Sequence, residues 1–236
     1  MKKLICVVAI MTTVSGCSTA PADKAPQASS TENYKSHAQQ GLQYMQLGRI
    51  NEAVLELDEA IKQCETQYPI DGKKTYTSRT TAEGLMYTML SASRNETPEV
   101  LDTVCSDAYY LRGSIALNTG RIRDAENLLK KAIAMAPVNA MYLSALGHIY
   151  QVKRDWNQAV DYFSQAEDAA LTYSPDELRG SEFLRAKRGV GFNLVQLGKL
   201  NEAEVKYKEC LALNSSDKGA LDELEYINII RDKQKL

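Results

Sequence analysis

The side chains best suited to chemistry are two histidines and five cysteines, and their spacing predicts no catalytic centre. His37 and His148 have no partner at the spacing of a metal site or of a nucleophile and its base. The sequence contains no phosphate-binding Walker loop, HExxH or GxSxG motif. RGVGFN has two glycines but lacks the third of a dinucleotide-binding loop. We therefore expect no enzyme, no metal site, no cofactor and no small-molecule substrate.

Cys17 closes an amino-terminal segment that has the layout of a secretory signal. Lys2 and Lys3 precede the apolar run LICVVAIMTTV, and V-S-G-C ends the segment. A membrane-spanning helix needs about 20 apolar residues, so this run is too short to span and stay. The V-S-G-C ending resembles the lipobox of bacterial lipoproteins. That resemblance implies cleavage of a signal peptide, residues 1–16, and lipidation of Cys17, for example with palmitate.

The residues after Cys17 indicate where in the cell the protein is located and how it is attached. In lipoproteins an Asp at the next position commonly retains the protein at the inner membrane, so Ser18 implies an outer-membrane lipoprotein facing the periplasm of a Gram-negative cell. Two alternatives stay open: an ordinary signal peptide with a chance cysteine, and a Gram-positive host. Residues 17–33 are rich in Pro, Ala and Ser and predict a lipid-anchored flexible linker with an end-to-end distance of about 20–25 Å.

The charge of the chain argues against a nucleic-acid partner. The sequence has 28 Lys plus Arg and 30 Asp plus Glu. Removal of residues 1–16 takes away two lysines and leaves a weakly acidic net charge of −4. Nucleic-acid binding needs a clustered basic patch, and the sequence shows none.

A repeat organises most of the remaining chain. Four segments align, in which a Gly is followed after twelve residues by an Ala, after four more by a large apolar residue, and after three more by a small residue. The four columns are Gly41, Gly113, Gly147 and Gly191; Ala53, Ala125, Ala159 and Ala203; Leu57, Leu129, Phe163 and Tyr207; and Ala60, Ala132, Ala166 and Cys210.

This spacing resembles the tetratricopeptide repeat, abbreviated TPR. The third copy matches the pattern of that repeat best, at Leu146, Gly147, Tyr150, Ala159 and Phe163. The resemblance implies an all-α TPR superhelix of antiparallel helix pairs with a C-terminal capping helix. Small residues would lie where two helices approach closely, and stacked pairs would share one core. Turns are expected at L-G-R-I-N and L-G-K-L-N.

The register predicts the domain boundaries. We expect a TPR array over residues 34–217, with repeats near 34–67, 70–105, 106–139, 140–173 and 184–217, then a capping helix and tail over 218–236. Within the degenerate repeat 70–105, TAEGLMYTMLSAS predicts a first helix. The residues before it predict a turn or loop followed by an extension of this helix. TPEVLDTV predicts a second helix with Thr97 as N-cap and Pro98 at its first position. The insertion LTYSPDELRG predicts a helix that Ser174 caps and Pro175 starts.

Three cysteines would remain in an oxidising compartment besides Cys17. Cys210 occupies a small-residue core column and is expected to be a buried thiol. Cys64 and Cys105 are expected at the ends of the second helices of neighbouring repeats, and we predict a disulfide between them. Two separate thiols are the alternative.

The resemblance implies a binding protein, because the first helices of stacked TPR pairs line a concave groove that takes a peptide or a partner helix. The predicted groove residues are Leu42, Met45, Tyr110, Ser114, Leu117, His148, Gln151, Arg188 and Phe192, with Ala38, Ser144 and Val195 at the remaining groove positions. The layout is similar to that of lipoproteins that assist assembly of type IV pilus secretins. We expect an outer-membrane adaptor for envelope assembly. A scaffold that recruits peptidoglycan hydrolases and a periplasmic chaperone for outer-membrane proteins are the alternatives.

Overall fold

The computed structural model describes residues 30–68 and 74–234, with side chains from residue 33 onward. The predicted signal peptide, the lipidation site Cys17 and most of the linker lie outside the described residues. The elements, in chain order, are α1 Ser30–Gln46, α2 Ile50–Gln67, β1 Thr75–Thr77, α3 Thr81–Ala92, β2 Glu99–Leu101, α4 Val104–Asn118, α5 Ile122–Met135, α6 Ala140–Val152, α7 Trp156–Tyr173, α8 Asp176–Gln196, α9 Leu200–Leu213 and α10 Lys218–Gln234.

Most of these helices form consecutive pairs joined by tight turns. The pairs are α1–α2, α4–α5, α6–α7 and α8–α9; each pair packs on the next, and α10 packs on α8 and α9. Gly48, Gly120 and Gly198 make three of the turns with φ of +71°, +75° and +72°, a left-handed conformation that glycine adopts without strain. Arg154 takes the same position in the third pair with φ of +59°. The predicted superhelix of helix pairs with a C-terminal capping helix is confirmed.

The small-residue columns are the contact lines within each pair. A Cβ added to Gly41 would lie 2.7 Å from Leu57 Cγ, and one added to Gly191 would lie 2.8 Å from Tyr207 Cζ. All four alanines of the predicted second column are fully buried. The spacing of small and large residues therefore reflects close helix approach, because a side chain at the Gly column would displace the partner's large residue.

The predicted degenerate repeat is wrong in its second half. Residues 81–92 form α3, as expected, but Glu99–Leu101 form β2, which pairs in parallel with β1. The sequence before α3 is likewise a strand and not a helical extension. Two local preferences explain the error: Thr97 precedes a proline, which disfavours helical backbone, and Val100, Tyr76 and Thr77 favour strands.

This β1–α3–β2 unit stands outside the stack of pairs. Helix α4 packs directly on α1 and α2, while α3 packs mainly on the two strands. The described residues therefore hold four stacked pairs and not five repeats. We call residues 69–103 the insertion, of which 74–103 are described. Tyr76 and Tyr87 form its own core; both are fully buried, and their rings stack with centroids 4.8 Å apart.

A disulfide joins Cys64 and Cys105 at the base of the insertion, with Cα atoms 5.8 Å apart. Cys64 lies near the end of α2, as expected. Cys105 lies in the first turn of α4, and not at the end of a second helix as predicted. The two meet because the insertion leaves the stack and returns beside its starting point, so the bond ties the first pair to the second.

Two helix starts also differ from the sequence analysis. Helix α1 begins at Ser30, so residues 30–33 are helical and not linker. Helix α8 begins at Asp176, with Pro175 at the N-cap position and no side-chain cap. Ser174 does not cap this helix, because its hydroxyl donates to the Glu182 carboxylate. In the described residues no helix is long and apolar enough to cross a membrane.

Candidate functional site

A concave feature with a partly apolar lining lies between α4, α6, α8 and α10. It is a cavity of about 550 Å³ that opens on the inner face of the superhelix. Its wall residues are Tyr110, Ser114, Leu117 and Asn118 from α4; Ser144, Ala145, His148 and Gln151 from α6; Phe163 from α7; Arg185, Arg188, Gly189 and Phe192 from α8; Tyr207 from α9; and Gly219 and Glu223 from α10. First helices of three consecutive pairs thus supply most of the surface. We call this feature the groove.

The structure brings eight of the predicted groove positions together. They are Tyr110, Ser114, Leu117, Ser144, His148, Gln151, Arg188 and Phe192. Leu42 and Met45 are not among the wall residues, since they lie on α1, and the groove begins only at α4. Leu42 is exposed at 41 %, while Met45 is half-buried against the core of the first two pairs. Ala38 and Val195 are buried in the core.

The groove floor is aromatic because two glycines make room for one ring. Phe163 reaches from α7 between α6 and α8, where a Cβ on Gly147 would lie 2.8 Å from its ring and a Cβ on Gly189 would lie 2.3 Å from it. Phe192 packs edge-on against Trp156, with ring centroids 6.3 Å apart. Such a floor accommodates an apolar side chain of a ligand.

Helix α4 holds the first wall through a buried hydrogen-bond network. The Tyr110 ring stacks on Tyr142, with centroids 5.3 Å apart. The Tyr142 hydroxyl donates to Asp107 Oδ1 at 2.6 Å and lies 3.0 Å from Ser106 Oγ. Burial, together with the negative charge of Asp107, raises the pKa of Tyr142. The tyrosine therefore stays neutral and keeps α6 in register with α4.

The polar residues of the groove are mostly paired within their own helix. The Ser114 hydroxyl donates to the Tyr110 carbonyl at 2.9 Å. His148 Nδ1 lies 2.9 Å from Gln151 Oε1, which accepts only from the tautomer protonated at Nδ1 or from the imidazolium. Ser144 is 3 % exposed, and its hydroxyl has no hydrogen-bond partner among the described residues.

Charged side chains gather where α8 meets α10. Arg188 Nη1 lies 2.5 Å from Asp217 Oδ2, and Asp217 Oδ1 accepts from the Ala220 amide and caps α10. Arg185 is exposed and makes no ion pair within the described part of the chain. Burial raises the pKa of Glu223, whose carboxyl faces Tyr207. This end of the groove can therefore pair with an acidic group through Arg185.

The sequence reasoning missed the contribution of α10, since it assigned the groove to first helices alone. Gly219 and Glu223 come from the capping helix, which stands where the first helix of a further repeat would stand. The sequence did contain a signal for this contribution. A capping helix that continues the stack occupies the position of a first helix, so one of its faces lines the groove.

The two histidines lie apart, His148 in the groove wall and His37 between α1 and α2. His37 Nδ1 lies 2.6 Å from Glu56 Oε2, a partner that the sequence spacing did not show. This pair joins α1 to α2 away from the groove. Within the described residues no three metal-ligating side chains cluster. The geometry of the groove supports binding through apolar contact, hydrogen bonds and one cationic side chain.

Comparison with known proteins gives matches to one repeat and to whole folds. Residues 106–139 match the family model of the tetratricopeptide repeat, with the boundaries expected for the second complete copy. Among curated proteins no sequence match reaches significance.

Solved structures resemble the whole array. The structure of PilF from Pseudomonas aeruginosa superposes with a TM-score of 0.59 at 18 % identity, covering 86 % of this chain and 71 % of that one. A double mutant of MamA RS-1 gives a TM-score of 0.58 at 13 % identity, covering 86 % of this chain and 88 % of that one. A further MamA crystal structure gives 0.51 at 20 % identity, with coverage of 78 % and 80 %. Residues 106–139 are thus a tetratricopeptide repeat, and the chain has the superhelical fold of tetratricopeptide-repeat proteins.

Proposed function

We propose that this protein is an adaptor that holds a segment of a partner protein in the groove. The observation that carries the proposal is the aromatic-floored cavity formed by α4, α6 and α8 on the inner face of the array. A cavity of about 550 Å³ has the size of sites that bury most of a small ligand. It accepts one or two large side chains of a partner, with the rest of the segment lying along the first helices.

The proposed setting is the periplasmic face of the outer membrane. The resemblance of V-S-G-C to a lipobox supports a lipid anchor at Cys17, and a disulfide between Cys64 and Cys105 suits an oxidising compartment. In this setting the adaptor serves assembly of an envelope complex, with a type IV pilus secretin as the proposed client. Recruitment of peptidoglycan hydrolases and chaperoning of outer-membrane proteins are the outcomes that would replace it.

Site-specific photocrosslinking in cells tests both parts. A photoreactive residue at Gln151, inside the groove, should capture a single dominant protein, which mass spectrometry identifies. The same residue at Lys208, exposed on α9, is the matched control outside the groove. A Cys17→Ser form tests whether capture depends on the anchor.

The captured protein decides among the alternatives. A secretin or pilus component supports the assembly adaptor, while cell-wall hydrolases make the protein a scaffold for them. A spread of unrelated outer-membrane proteins supports the chaperone. Equal capture from Gln151 and Lys208 would remove the groove from the proposal.

Groove variants then measure the contribution of single side chains. Leu117→Ala and Phe192→Ala should each weaken partner binding tenfold or more, as truncation of a central apolar contact does. Leu213→Ala, exposed at 60 % on α9 and outside the groove, is the control and should bind normally. Unchanged affinity of both groove variants in a calorimetric titration would contradict binding at this site.

A further inference from the structure

The insertion makes polar contacts that cross the array. Arg79, just after β1, lies 2.7 Å through Nη1 from Glu182 Oε1 on α8. The two residues are 103 positions apart in the sequence. The neighbouring Thr80 hydroxyl donates to the carbonyl of Tyr173 at the end of α7, at 3.1 Å. The insertion thus lies between the first and second helix pairs in the sequence, and it contacts the junction of the third and fourth pairs in space.

This contact is a buried ionic network and not a surface ion pair. Arg79 Nη2 also binds Glu83 Oε1 at 2.9 Å, and the Arg79 amide donates to Glu83 Oε2 at 2.6 Å. The side chains of Arg79, Glu83 and Glu182 are 11 %, 0 % and 9 % exposed. Because charged groups at this depth are stable only with their partners in place, the network admits little variation in the position of α8 relative to Arg79.

The other side of the insertion is attached to α4. The Thr77 hydroxyl donates to Ser106 Oγ at 2.7 Å, and both groups are buried. Ser106 lies one position after Cys105, whose disulfide closes the base of the insertion. Helices α4 and α8 supply two of the groove walls, with α6 between them.

We infer that the insertion is a spacer that sets the width of the groove, with Arg79 and Glu182 as its positioning residues. Units of a repeat array contact only their neighbours, so small rotations at each interface add up along the array. The insertion connects the start of α4 rigidly to α8. It therefore restricts rotation at the two interfaces between the second, third and fourth helix pairs. The consequence for binding rests on the proposed function, whereas the spacing itself does not.

Two isosteric variants separate the contact from the bulk of the side chain. Glu182→Met fills a similar volume but offers no acceptor to Arg79 or to the Ser174 hydroxyl, and Glu182→Gln retains an acceptor. Both leave Arg79 paired with Glu83, so no unpaired guanidinium results. Glu182→Ala repeats the test should the methionine fail to fold. Leu57→Val in α2 is the control for a general loss of stability, since Leu57 is fully buried in the first pair, away from the groove.

The distance between the walls is measured with spin labels. Labels at Asn118→Cys on α4 and Arg185→Cys on α8 lie on two different walls of the groove. The chain also carries Cys6→Ser and Cys17→Ser, since Cys64 and Cys105 form the disulfide and Cys210 is fully buried. Pulsed electron resonance should give one narrow distance distribution for the parent, Glu182→Gln and Leu57→Val. Glu182→Met should give a broader distribution shifted to longer distances. An unchanged distribution in folded Glu182→Met or Glu182→Ala would overturn the spacer.

Binding is tested with a phage-displayed peptide. The peptide is selected on the wild-type protein and counter-selected against the Phe192→Ala variant, so that its binding depends on Phe192. We expect Glu182→Met to lower its affinity about tenfold, and Glu182→Gln and Leu57→Val to leave it within twofold. A changed distance with unchanged affinity would overturn the control of binding by the spacer. Failure to select any peptide that depends on Phe192 would instead count against the proposed function.

Discussion

Gly189 offers a sharp test of how the groove floor is built. A Cβ at this position would lie 2.3 Å from Phe163 Cδ1 and 2.5 Å from Cε1. The ring has little space to move into, because helix α6 approaches its other side at Gly147, where an added Cβ would be 2.8 Å from Cδ2. Gly189→Ala must therefore shift either the ring or helix α8.

The expected magnitude follows from two opposing terms. Inserting a methyl group into a packed core costs about 1–3 kcal/mol, and a ring held on both faces places this site near about 3. Replacing glycine by alanine within a helix returns about 1 kcal/mol. The free energy of unfolding should thus fall by about 2 kcal/mol. With a urea dependence of about 2 kcal/mol per molar, the unfolding midpoint falls by about 1 M.

Urea unfolding followed by circular dichroism measures this change in the oxidised protein. Gly180→Ala is the control on the same helix; nothing lies within 4 Å of its added Cβ. It should gain up to about 1 kcal/mol from helix propensity alone. In a Phe163→Leu background Gly189→Ala should cost less than about 1 kcal/mol, because the ring edge is gone. Equal stability of Gly189→Ala and wild type, or an undiminished cost in the Phe163→Leu background, would refute the reasoning.

Three further predictions concern the cysteines and one carboxylate. Joint replacement of Cys64 and Cys105 by serine should lower the free energy of unfolding by about 3–4 kcal/mol in urea titrations, and neither cysteine should be alkylated before reduction in mass spectrometry. Burial raises the pKa of Cys210 to about 11, so its thiol should react with a disulfide reagent at pH 8 only after unfolding. A hydrogen bond from Lys130, helped by Lys153, lowers the pKa of Glu126 to about 2. Since the folded value is below the ordinary 4.5, the stability difference between wild type and Glu126→Gln should be full above pH 4.5 and vanish as the pH falls to about 2.

The sequence-based prediction was strongest where one residue type repeats at one spacing. Gly113 and Leu129 identified a helix contact because their spacing recurs in every copy. The prediction of a helix at Thr97 and Pro98 was wrong. These residues are typical of a helix N-terminus, but the residues that follow favour a strand. The predicted disulfide between Cys64 and Cys105 is present, but its position in the fold differs from the prediction. Cys105 lies in the first turn of α4 and not at the end of a second helix.

The groove shows the same division. Tyr110, Ser114, Leu117, His148, Gln151, Arg188 and Phe192 could be placed by register alone, because periodicity decides which helix face a residue occupies. Arg185, Gly219 and Glu223 could not, since their role depends on where α8 and α10 lie in space. Leu42 fails for the same reason, as the groove starts one pair later.

The amino-acid sequence by itself determined the helix pairs, their turns and their close contacts, all of which depend on residues near one another in the chain. Only the tertiary structure decided that the insertion leaves the stack and that Arg79 reaches Glu182. The physical reason is the range of the interactions. Local periodicity specifies a helix and its buried face, whereas a contact across 103 positions depends on the accumulated geometry of every interface between.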